Sequence, residues 1–116
     1  MCTASVYKGL VGLFAQAIRA GAHYGVLEPV LADLATGGHN PLGAVAVAAT
    51  KAARFVPEMR EIAAAQAAAG LPASLFEALA EVYTELAQTA LAGGDPESVD
   101  RDLSAADVVA GLTPRA

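Results

Sequence analysis

Apolar residues recur at positions 6, 10, 13 and 17 and again at 11, 14 and 18, so residues 3 to 22 read as one helix, apolar on both faces. Such a helix is expected to be buried on most sides and to stop at Gly25. The stretch "LEPVLADLATGG" predicts a second, short helix, with Pro29 in its first turn and Gly37 at its end. After the loop "GGHN" an alanine-rich helix is expected from Leu42 to Ala69. Pro57 lies inside it, and a proline removes one backbone donor and crowds the preceding turn, so a kink or a break is expected between Phe55 and Pro57.

Gly70 closes that element, and Ser74 with Glu77 has the spacing of a capping box opening a fourth helix. Leu75, Leu79, Val82 and Leu86 then form the narrow stripe by which one helix packs on another. From Gly93 the run "GGDPESVDRD" is acidic and turn-rich, with a short helix expected in "SAADVVAGL". No segment alternates as a strand would. The fold class is therefore all-α: a helical body over residues 1–92 and a tail over 93–116.

Composition narrows this picture. The 116 residues suffice for one hydrophobic core, and the apolar 55% is mostly alanine with only 5% aromatic, which favours closely packed helices. The net charge of −5 and the scatter of seven lysines and arginines argue against a nucleic-acid partner. A single cysteine forms no internal disulfide and supplies no metal-ligand spacing, which suits a reducing compartment, taken as the cytoplasm. The apolar stretches are cut by Gln16 and Arg19 and by Lys51 and Arg54, so none reaches the ~18 residues of a membrane span. No basic segment precedes an apolar one as in a signal peptide.

The polar side chains at the start of the chain, Cys2, Thr3, Ser5, Tyr7 and Lys8, stand out against the apolar run that follows. Lys8 suits an anionic substrate group held as a point charge, or else snorkels at a helix end, the commoner role. Tyr7 can orient or protonate a ligand, or anchor packing with a wet hydroxyl. Cys2 has no assignable base and is expected to be a small buried apolar residue. His23 and His39 have no partner at metal spacing. Arg54 and Glu58 form an i,i+4 pair, with a carboxylate or phosphate fork as the second reading of Arg54. The glycines of "GLVGLF" make neither GxGxxG nor a P-loop.

The segments "MCTASVYKGL", "AARFVPEMREIAAAQAAAGLP" and "ALAEVYTELA" together resemble the helical C-terminal domain of NAD(P)-dependent oxidoreductases related to 6-phosphogluconate dehydrogenase and the β-hydroxyacid dehydrogenases, over roughly residues 1–92. The resemblance implies an N-terminal Rossmann domain that binds NAD or NADP, and a catalytic lysine on the first helix that would fall immediately before Met1. It places Ala4 where the family has an asparagine that bonds substrate. In the decarboxylating branch, Tyr7 stands at the position of a glutamate acid and Lys8 at that of a phosphate-contacting tyrosine. Thr3, Tyr7, Lys8 and Arg54 are thus the candidate substrate-binding residues, with no catalytic, cofactor or metal residue within the chain. The function expected is the substrate-side and dimerisation portion of such an enzyme. It would act on a small anionic hydroxy acid, pair as a homodimer and be inactive without a Rossmann domain. The alternative is a stand-alone helical interaction module that binds a partner through its apolar faces.

Overall fold

The computed structural model describes residues 2–114, and among them the fold is all-helical. The helices are α1 (Cys2–His23), α2 (Leu27–Thr36), α3 (Pro41–Ala49), α4 (Ala52–Ala68), α5 (Ser74–Ala87) and α6 (Ala105–Gly111), with a 3-10 turn at Ala90–Gly93. The stops follow from local chemistry. Helices α1, α2 and α4 each run out through a glycine with positive φ, Gly25 at 70°, Gly38 at 83° and Gly70 at 77°. In each, the residue after the glycine donates back into the last turn, as Leu71 does to the carbonyl of Gln66 at 2.9 Å, the pairing of a Schellman motif. Gly38, not the expected Gly37, takes the left-handed position at the end of α2; Gly37 is the C-cap at φ −87°.

The expected long helix is two. The chain breaks at Thr50 and Lys51, upstream of Pro57, which lies within α4. The amides of Thr50 and Lys51 bond back to Val47 and Ala48, and the Thr50 hydroxyl also donates to the Val47 carbonyl at 2.7 Å. Packing explains the position of the break: α3 lies on α1, whereas α4 lies mainly on α5, and the change of direction falls among the buried alanines Ala48, Ala49 and Ala52. Pro57 then costs α4 only the bond its amide would have made to Ala53.

Helix α5 also departs from expectation. Ala73 is its N-cap, already in helical conformation, and no side chain caps the end, so Ser74 and Glu77 make no capping box. Pro72 presets the backbone one residue early. The buried stripe is Phe76, Leu79, Ala80, Tyr83 and Leu86, while Leu75 is 60% exposed. Helix α1 is buried on one side only, through Phe14, Ala15 and Ile18, whereas Val6 and Leu13 are 66% and 62% exposed. Its glycines let α5 come close: a Cβ on Gly12 would lie 2.6 Å from a Leu79 methyl. Cys2, expected to be buried, is exposed at the end of α1, one turn before the buried Ser5.

The acidic stretch after Gly93 is exposed over 94–98, and the chain then returns to the body. Ser104 caps α6 by accepting from the Asp107 amide at 3.1 Å, and Val108 and Leu112 join the main core. Thr89 and Pro114 form an antiparallel bridge that ties this excursion at its base. No described helix is long and apolar enough to cross a membrane.

Candidate functional site

A cleft of about 460 Å³ opens where α1, α3 and the start of α4 meet the segment before α6. Its volume is that of a small-molecule site. Helix α1 contributes Tyr7, Lys8 and Val11, α3 contributes Gly43, Ala44, Val47 and Ala48, and Phe55 and Tyr83 reach it from α4 and α5. Asn40 and Lys51 border the two ends of α3, and Arg101 comes from the returning C-terminal segment. The floor is apolar and three cations line it, in a chain of net charge −5.

The Lys8 side of the cleft is cross-linked. The Lys8 ammonium is ion-paired with the Glu58 carboxylate and sits 4.6 Å from the centre of the Phe55 ring. Phe55 meets Tyr83 edge to face at 5.4 Å. The Tyr83 hydroxyl donates to the backbone carbonyl of Lys8 at 2.6 Å, closing the circuit among α1, α4 and α5. Tyr83 has no exposed surface, and burial pushes its phenol well above its ordinary range, so it stays protonated. Lys51 and Arg101 have no ion-pair partner among the described residues.

Gly43 explains how Arg101 arrives. A Cβ there would lie 3.1 Å from the Arg101 carbonyl and 2.9 Å from the Asn40 amide nitrogen, so only glycine lets the segment seat on α3. The Gly43 amide donates to Asn40 Oδ1 at 3.3 Å, capping the helix.

Of the four candidate substrate-binding residues, Tyr7 and Lys8 line this cleft; Thr3 and Arg54 are exposed and outside its lining. Glu58 pairs with Lys8 and not with Arg54. His39 packs edge-on against Phe14 at 5.6 Å and His23 against Tyr24 at 4.8 Å, and no cluster among the described residues could hold a metal ion. Sequence reading passed over Asn40, Lys51 and Arg101 as ligand groups. Lys51 stood out only as a charge that cuts an apolar stretch, and Arg101 was hidden among Asp95, Glu97, Asp100 and Asp102.

A family model described as a domain of unknown function (DUF1932) matches residues 22–86. The chain belongs to the DUF1932 family. The DUF1932 match runs from the end of α1 through α5 and takes in Asn40, Lys51, Phe55 and Tyr83 of the cleft. Tyr7, Lys8 and Arg101 lie outside its span. No curated protein and no solved structure matches the chain.

Proposed function

We propose that this domain is the substrate-side portion of an NAD(P)-dependent oxidoreductase, acting in the cytoplasm on a small anionic hydroxy acid or a related compound. The supporting observation is the cleft itself: Lys8, Lys51 and Arg101 border an apolar floor in an acidic chain. The half-buried Lys51 offers a carboxylate a point charge and the exposed Arg101 a planar fork that can hold both its oxygens. On this reading Lys51 and Arg101 bind the anion, and Tyr7 closes the rim. Lys8 is steadied by Glu58 and sets the width of the cleft through Phe55 and Tyr83.

On this reading the dinucleotide is held by a separate Rossmann domain, in keeping with a sequence that has no GxGxxG to cradle a pyrophosphate. The chain alone is expected to transfer no hydride. Titration of 3-hydroxybutyrate into the chain, followed by backbone amide shifts, tests the reading. Shifts should concentrate between Asn40 and Lys51, and Lys51→Met or Arg101→Met should weaken binding about tenfold. Unmoved amides in that stretch would refute it. Gel filtration with a Rossmann domain from the same source should show capture.

A second reading rests on a different observation. Val6, Leu13 and Leu75 stay exposed around a groove between α1 and α5 that is floored by Gly9, Leu10 and Leu79. On the oxidoreductase reading this groove is the homodimer contact; on the alternative, it is where an interaction module takes a partner helix. A chain that dimerises in sedimentation favours the first.

A further inference from the structure

The apolar lining of the cleft is Val11, Ala44, Val47, Ala48 and Phe55, and the polar groups that reach it are unequally free. The Tyr83 hydroxyl donates its hydrogen bond to the Lys8 carbonyl, Asn40 Oδ1 accepts from the Gly43 amide, and the Lys8 ammonium holds Glu58. The remaining donors are Lys51, Arg101, the Asn40 amide nitrogen and the exposed Tyr7 hydroxyl. A ligand therefore meets, in Lys51 and Arg101, cations with no carboxylate partner among the described residues, around a surface that offers its body almost nothing to hydrogen-bond. Each hydroxyl pressed onto that floor would lose its water without replacement.

We infer that the cleft selects a carboxylate with an apolar body, an aliphatic or aryl acid, and rejects polyhydroxy acids of the sugar-acid type. This deepens the substrate-domain reading and rests on it. The head group lies against Lys51 and Arg101, and the body covers Val47, Ala48 and Phe55. The pairing is one of charge and surface: two cations free of ion pairs among the described residues for one anion, and an apolar floor for an apolar body.

The test is a homologous series of n-alkanoates, from acetate to hexanoate, and gluconate, each titrated into the chain and followed by amide shifts at Asn40, Gly43, Val47 and Lys51. Affinity should rise about fourfold per added methylene, the value of one buried CH₂, and hexanoate should bind at least about tenfold more tightly than gluconate. Arg101→Met and Lys51→Met, both at residues outside the core, should each weaken hexanoate about tenfold. A flat series, or gluconate binding more tightly than hexanoate, overturns the inference and leaves the anionic-substrate reading in place. A rising series indifferent to both charge variants also overturns it, because the head group would then play no part. If neither hexanoate nor gluconate moves these amides, the inference and the reading beneath it fall together.

Discussion

Replacing Tyr83 by phenylalanine removes one hydroxyl from the most enclosed aromatic ring of the domain and leaves the ring's contact with Phe55 in place. The lost interaction is the 2.6 Å bond to the Lys8 carbonyl. That carbonyl lies within α1, where it also accepts a helical bond, so it is not orphaned, and the cost at neutral pH should be about 1 kcal/mol. Alkali changes the balance. The unfolded tyrosine ionises near its ordinary value of 10.0, while burial raises the folded one well above it. Above that pH the unfolded state binds fewer protons than the folded state, so wild-type stability falls as pH rises. At one pH unit above the ordinary value the loss from this residue is about 1.4 kcal/mol. Phenylalanine cannot ionise and loses nothing, so the stability difference between the two proteins should shrink through zero between neutral pH and about pH 11. Urea unfolding followed by far-UV circular dichroism, at intervals across that range, measures the difference. A difference that stayed constant to pH 11 would refute the argument that the phenol is held away from water.

Further outcomes follow from the same packing. Val108→Ala should destabilise the domain by about 2 kcal/mol in denaturant melts, because Val108 has no exposed surface; no effect would mean that α6 does not belong to the core. A double-mutant cycle of Lys8→Met and Glu58→Gln should give a coupling below about 1 kcal/mol, since the two side chains are 25% and 44% exposed. Gly12→Val should cost about 1–3 kcal/mol in thermal unfolding, because its side chain would enter the space of Leu79. If the chain pairs through the groove between α1 and α5, as proposed, Leu13→Glu should shift its sedimentation to that of a monomer while leaving the circular dichroism spectrum unchanged, and a persistent dimer would refute that contact.

The features legible in the sequence were those set by near neighbours. The all-helical class and the stops at Gly25 and Gly70 follow from periodicity and from one residue type at one backbone angle. Where two registers competed, tertiary contact decided. Leu75 and Phe76 are adjacent and both apolar, and only the approach of α1 selects the second for burial. The break at Thr50 was invisible for the same reason, since it reflects which helices lie beneath α3 and α4 and not the stronger local signal of Pro57. Part of the candidate site was legible: Tyr7 and Lys8 are polar groups in an apolar run, whereas Lys51 and Arg101 line one cleft only because the chain turns back over Gly43.

That return has an evolutionary consequence. The amide of Ala90 donates to the Thr113 carbonyl at 3.2 Å beside the Thr89–Pro114 bridge, so the exposed stretch before α6 belongs to an excursion closed at its neck. Doubling the length of a flexible loop costs only about 0.6 kcal/mol in closure entropy. Insertions among residues 94–100 can therefore re-aim Arg101 over the cleft without disturbing α1 to α5. If the cleft binds the anion proposed for it, ligand preference is adjustable there independently of the scaffold, and related chains that differ in what they bind should differ first in the length of this stretch.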